Sequence, residues 1–266
     1  MDTNSTRLAV IGGGNMGGAI VRGLIQGSLI KANQITISDC NETILHHLKE
    51  VDSALTTTTS NVQAIKDADI VLLAVKPWLI STVAEDISRT LNYKKQILVS
   101  IAAGIDFFTL EKLFSDDAVL FRFIPNTAIE VLQSVCVVSS SNASNEQVSL
   151  ITRILSELGK VFYVPEEQQG AYTSLSSCGI AYAMRYIRAA MEGGVEMGIY
   201  PAVSKEVVLQ TLRGAVELLE ATGSHPEVEI DKVTTPGGIT IRGLNEMEAQ
   251  GFSNAVIKGL KASHLK

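Results

Sequence analysis

The chain has 266 residues, of which 46% are hydrophobic and 19% charged, and its formal charge is −6. That length accommodates one large or two ordinary domains with a real core, and the composition excludes a disordered chain. The negative balance argues against nucleic acid as the main partner, and the longest apolar runs are too short to span a bilayer.

From Arg7 to about Val164, short β-rich runs alternate with helical stretches. The predicted strands are LAVIG (8–12), ITIS (35–38), IVLLAV (70–75), QILVSI (96–101), VLFRFI (119–124) and VCVVSS (135–140). Most are unbroken apolar runs, as strands covered on both faces require. TTTT (56–59) is a brief β-prone patch. Met16, Ile20 and Leu24 carry helical spacing between the first two runs. Strands alternating with helices imply right-handed crossovers and a mainly parallel sheet. The 124–135 connection is short for a crossover, so the last strands are expected to run antiparallel. After Pro165 no strand follows, and 166–266 reads as helices punctuated by Gly179, Pro201, GSHPE (223–227) and TTPGG (234–238). Val203, Val207, Leu212, Val216 and Leu219 predict a helix over 202–221, stopped by Gly223. The expected domains are therefore 1–164, an α/β doubly wound sheet, and 165–266, all helical.

Cys40, Cys136 and Cys178 lie far apart, with neither CxxC nor His/Cys ligand spacing, so reduced, mostly buried thiols and no metal are expected. His46 and His47 fall in a helical pattern outside every motif and read as surface residues. The N-terminal MDTNSTR lacks the basic-then-apolar order of a signal peptide, and a cytoplasmic protein is the expectation.

VIGGGNMGGAI (10–20) holds Gly12-x-Gly14-x-x-Gly17 after a β run and at the opening of a helix, the context that a dinucleotide fingerprint requires. Gly12 permits the tight turn, Gly14 lets backbone approach a pyrophosphate, and Gly17 lets the helix pack close to its strand. Gly13 lies within the turn, and N–H groups at the helix start would face phosphates. Asp39 lies 22 residues past Gly17, after the second predicted strand, where a carboxylate can bond a ribose 2′-OH and repel a 2′-phosphate. That favours NADH over NADPH.

VIGGGNMGGAI, LAVKP (73–77), SIAAGI (100–105), FIPNT (123–127), GGVEMGI (193–199) and TTPGGITIRGLNEME (234–248) stand in an order that resembles the pyrroline-5-carboxylate reductases, over nearly the whole chain. The resemblance implies a Rossmann-type domain followed by a helical dimerisation domain, with homodimers or larger homo-oligomers. It also implies reduction of the small molecule Δ1-pyrroline-5-carboxylate to L-proline with NADPH or NADH, and no membrane or nucleic-acid partner. By the same resemblance, cofactor contacts fall on Asn15, Met16, Asn61, Ala74, Val75, Lys76, Pro77 and Ala102. Substrate contacts fall on Thr235, Gly237, Gly238, Ile239 and Thr240, and on Glu166. Residues 235–240 would hold the carboxylate by N–H groups at a helix start, with the Thr240 hydroxyl near the ring nitrogen. Taken locally, Thr240 also reads as an ordinary helix cap. Gly238 is expected to exclude a β-branched side chain both by space and by backbone angle.

A protonated imine is already electrophilic, so hydride transfer asks for positioning more than for a strong acid. Ile239 stands where Thr or Ala is usual in the family, Ile180 where Pro is usual, and Asp39 where the residue is often neutral. The other readings are a related imine or β-hydroxyacid dehydrogenase of the same architecture and a non-catalytic NAD(P)-binding regulatory protein. A β-hydroxyacid dehydrogenase needs a general base, commonly Lys, on the first helix of the second domain, but 174–190 offers Arg185 and Arg188 and no Lys. A non-catalytic NAD(P)-binding regulator would not need the TTPGGIT loop.

Overall fold

A computed structural model describes Thr3 and residues 5–264. Two compact units divide it, Met1–Ser177 and Cys178–Lys266. Residues 165–177, expected to open the helical domain, belong to the first unit.

The first unit runs β1 (Leu8–Ile11), α1 (Asn15–Gln26), β2 (Ile35–Ser38), α2 (Glu42–Val51), β3 (Thr56–Thr58), α3 (Asn61–Ile65), β4 (Ile70–Leu73) and α4 (Ile80–Ile87). It continues with β5 (Ile97–Ser100), α5 (Phe107–Leu113), β6 (Val119–Ile124), β7 (Ser134–Ser141), α6 (Asn145–Leu155), β8 (Gly159–Tyr163) and α7 (Gln169–Thr173). The eight strands form one sheet in the order β3-β2-β1-β4-β5-β6-β7-β8. Every pairing is parallel except β6 with β7, so the antiparallel expectation holds there, whereas β7 and β8 run parallel. The sequence reading passed over β8; its residues GKVFY are only partly buried at the sheet edge and lack the apolar run of the interior strands. Local caps start the helices: Asn41 accepts from the Thr43 N–H, Asp106 from Thr109, and Ser144 forms a capping box with Gln147.

Alternate residues of each strand feed opposite layers. Val10, Ile37, Leu72 and Val99 pack with α1, α2 and α6, while Ala9, Ile11, Val71 and Leu73 pack with α3, α4 and α5. Both faces are covered, which is why the strands read as continuous apolar runs. The chain leaves β1 toward β2 and β3, then returns to β4 on the other side of β1. That reversal opens a crevice at the carboxyl ends of β1 and β4. Ile11, Leu73 and Ser100 lie in register across β1, β4 and β5, so the loops that follow start from one sheet edge.

The second unit consists of α8 (Gly179–Glu196), α9 (Pro201–Thr222), α10 (Pro226–Lys232), α11 (Ile239–Ala249) and α12 (Phe252–Ala262). Gly223 ends α9 in the left-handed region at φ 63°, as expected. The Ser204 hydroxyl donates to the Met191 carbonyl, tying α9 to α8, and the Tyr182 hydroxyl donates to the Gly259 carbonyl, tying α8 to α12. Within the five helices only Gly194 and Ser204 are buried. Met197, Tyr200, Val207 and Val216 stay exposed. None of the described helices is long and apolar enough to cross a membrane.

Candidate active site

The glycine turn after β1 adopts the geometry its spacing predicts. Gly12 has φ +101°, and a Cβ there would stand 2.6 Å from the Ala74 carbonyl oxygen. Both the backbone angle and the neighbouring strand end therefore demand glycine. A Cβ on Gly17 would run into the Gly12 carbonyl, so α1 packs directly over the turn. Gly14 differs: it caps α1 with no side-chain bond, and nothing lies within 4 Å of where its Cβ would be. The start of a twelve-residue helix thus faces open space with its N–H groups bare, the arrangement that receives a pyrophosphate. The residues fit a dinucleotide.

Asp39 follows β2 and reaches that turn. Its Oδ2 accepts the Gly13 N–H at 2.7 Å and its Oδ1 the Asn41 N–H at 2.9 Å. The carboxylate links the glycine turn to the start of α2, a role that spacing alone did not indicate. Each oxygen keeps a second lone pair, so a sugar hydroxyl remains within its capacity. Asn61 begins α3; its Oδ1 accepts from the Ser38 hydroxyl and its Nδ2 donates to Asp86.

Ala74, Val75, Lys76 and Pro77 form the loop after β4, at the edge already marked by Gly12. Trp78, the sole tryptophan, follows and is 75% exposed. Ala102 is buried in the layer formed by α3, α4 and α5. In the loop that follows β5, Ala103 and Gly104 are exposed.

Glu166 is engaged within the first unit. Its Oε1 pairs with Arg122 Nη1 at 2.6 Å and accepts the Phe107 N–H at 2.8 Å. The Arg122 side chain is only 11% exposed, in the middle of β6. A charge inside an otherwise apolar strand requires a buried partner, so VLFRFI carried a signal for this pair that the sequence reading missed. Through Oε1, Glu166 anchors the start of α5. Nearby, the Ser177 hydroxyl donates to the Pro125 carbonyl, and Asn126 of FIPNT caps the turn that follows it.

In the second unit, TTPGG turns into α11. Gly237 has φ +71°, while Gly238 is the N-cap at φ −67°, ψ 171° with no side-chain bond. Gly238 is thus in extended backbone that any residue adopts, which corrects the expected angle restriction. Its limit is space alone, because a Cβ would stand 2.5 Å from Thr235 Oγ1 and 3.0 Å from the Thr235 carbonyl oxygen. The N-cap position of Gly238 also corrects the local reading of Thr240, which is the second residue inside α11 and does not cap it. Among the described residues the Thr240 hydroxyl has no partner. Ile239 is 83% exposed beside it. Arg242 turns back along the helix, Nη2 donating to the Gly237 carbonyl at 3.2 Å and Nε to Gly238 at 3.4 Å. Held by these bonds, the loop carbonyls face Arg242, and the N–H groups of the first turn are left free.

The sheet order and the bare glycine turn define the class: a doubly wound α/β protein built like the dinucleotide-dependent oxidoreductases, with a helical second unit. Residues 166–266 match the model for pyrroline-5-carboxylate reductase dimerisation, and residues 7–104 match that for NADP oxidoreductase, coenzyme F420-dependent. Pyrroline-5-carboxylate reductase 1 of Dictyostelium discoideum is 35% identical over 96% of this chain, which spans 48% of that longer relative. Pyrroline-5-carboxylate reductase 2 of the same organism is 32% identical, with 98% of this chain and 91% of the relative covered. The crystal structure of Plasmodium falciparum pyrroline carboxylate reductase with NADP bound superposes with a TM-score of 0.89 at 25% identity, covering 97% of this chain and 95% of that one. The chain belongs to the pyrroline-5-carboxylate reductase family.

Proposed function

We propose that this chain is a cytoplasmic pyrroline-5-carboxylate reductase, which reduces Δ1-pyrroline-5-carboxylate to L-proline with NADPH or NADH in the last step of proline biosynthesis. The observation that carries this reading is the TTPGGIT turn, a bare helix start built for a small carboxylate, in a chain whose first unit has an equally bare glycine turn. The N–H groups opening α11 hold the substrate carboxylate, and Gly237 and Gly238 let it come close to backbone. The Thr240 hydroxyl bonds the ring nitrogen, directly or through one water, and keeps the protonated imine oriented. Bound at the turn after β1, the nicotinamide cofactor supplies the hydride. Gly12–Gly17, Asp39, Asn61 and the Ala74–Pro77 loop hold the nucleotide. Glu166 acts as a positioning residue through Arg122 and the start of α5. A β-hydroxyacid dehydrogenase is disfavoured because α8 offers Arg185 and Arg188 but no lysine. The direct test follows NADH and NADPH oxidation with pyrroline-5-carboxylate and with homologous cyclic imines. Absence of turnover with all of them would overturn the proposal.

NADH is expected to serve at least as well as NADPH, because Asp39 places a negative charge beside the ribose position. An unpaired charge facing a phosphate at such a half-buried site is worth about 1–2 kcal/mol, roughly five- to thirtyfold in preference. Asp39→Ser should move kcat/KM toward NADPH by that factor. It should also weaken both cofactors somewhat, since Gly13 and Asn41 lose their acceptor. A parent enzyme that prefers NADPH tenfold would remove Asp39 from the ribose.

The second unit supports a homodimer as the basic assembly. Its helices bury almost nothing among themselves, and Met197 and Tyr200 are 78% and 82% exposed. An apolar surface of this kind is covered in a stable protein. Light scattering at micromolar concentration is expected to give a dimer or larger closed oligomer; a stable monomer contradicts the assignment.

A further inference from the structure

We propose that the outer face of α2 carries a binding site for a late first-row divalent metal ion, made by His46, His47 and Glu50. On a helix, residues three and four apart become neighbours. Glu50 is four residues from His46 and three from His47, so its carboxylate rises between the two imidazoles. His46 Nδ1 lies 3.4 Å from Glu50 Oε1, and His47 Nδ1 lies 3.3 Å from Glu50 Oε2. All three donor atoms fall within 4.8 Å of one another.

These separations suit a metal. Zinc bonds to imidazole nitrogen and carboxylate oxygen at about 2.0–2.2 Å, so neighbouring ligand atoms of a tetrahedral site stand roughly 3.3–3.5 Å apart. Each imidazole nitrogen stands at that length from one of the two Glu50 oxygens. Rotation of the exposed rings and of the carboxylate brings the three donors around one centre, and the ring planes stand at 86°, so they are not stacked on each other. The three side chains are 74%, 71% and 61% exposed, which leaves room for water to complete the shell.

Charge favours the same occupant. The cluster lies in the last turns of α2, where the helix dipole is negative. Lys49, between the ligands in sequence, is turned away and donates to the Leu55 carbonyl. Two imidazoles and one carboxylate select zinc, cobalt, nickel or copper over the all-oxygen ions magnesium and calcium.

The other face of α2 gives the site a mechanical setting. Leu45 and Leu48 are buried, and Ile44 and Leu48 pack against Gly13 of the glycine turn. A bound ion clamps the outer edge of the helix whose inner edge supports that turn.

The test uses the full chain, stripped with a chelator and titrated calorimetrically with zinc chloride and with cobalt(II) chloride. One ion per chain is expected. His46→Gln, His47→Gln and Glu50→Gln should each weaken binding by about tenfold or more, while His225→Gln should leave it unchanged. Saturating zinc should raise the melting temperature of the parent but not of the His46→Gln/His47→Gln double variant. All three ligands are exposed, so the metal-free melting temperatures should agree and show that the variants fold. No binding below millimolar zinc overturns the site, as does an isotherm unchanged in the double variant. None of these readouts depends on turnover, so the result stands apart from the reductase assignment.

Discussion

Replacing Gly237 with valine is expected to raise KM for pyrroline-5-carboxylate by roughly ten- to a hundredfold. The residue stands at φ +71°, in the left-handed region, and a β-branched side chain there costs about 1–3 kcal/mol of strain. The chain can relieve that strain by rotating the Gly237–Gly238 peptide, which turns the bare N–H groups of α11 away from the carboxylate and breaks the Arg242 bonds to the loop carbonyls. Binding is lost before chemistry is, so kcat should fall much less than kcat/KM. Gly238→Val should act on the same parameter by a different route, since its backbone is ordinary and only Thr235 stands in the way. Cofactor affinity, measured by NAD(P)H fluorescence titration, should change little, because the proposed nucleotide contacts belong to the first unit. A KM within twofold of the parent, in a variant with a normal melting temperature, would mean that the loop does not hold the substrate.

Thr240→Ala should leave KM nearly unchanged and reduce kcat by about one to two orders of magnitude. One hydrogen bond to a group whose charge changes during hydride transfer is worth roughly 1–3 kcal/mol. A purely structural role predicts a different result. Gly238, not Thr240, caps α11, and the Thr240 hydroxyl makes no bond among the described residues, so its removal should hardly alter the melting temperature. Thr240→Ser retains the hydroxyl and should recover most of the rate. Unimpaired turnover in the alanine variant would take Thr240 out of the mechanism.

Much of this protein was legible from local pattern. Mostly apolar runs marked six of the eight strands, because a strand covered on both faces carries its burial in its own residues. Gly12, Gly14 and Gly17 declared their turn through spacing, and TTPGG declared a second turn before a helix, because these shapes need particular residues wherever they occur. The helical character after residue 165 and the stop at Gly223 were equally local. Tertiary structure decided the rest. It joined β8 in parallel to β7, and it tied Asp39 to the N–H of Gly13, 26 residues away. It paired Glu166 with Arg122 across 44 residues and set it at the start of α5. It buried Ala102, and it assigned the left-handed backbone to Gly237 and only a steric limit to Gly238. Each of these depends on which distant group arrives beside a residue, and hydrophobic period and motif spacing carry no record of that partner.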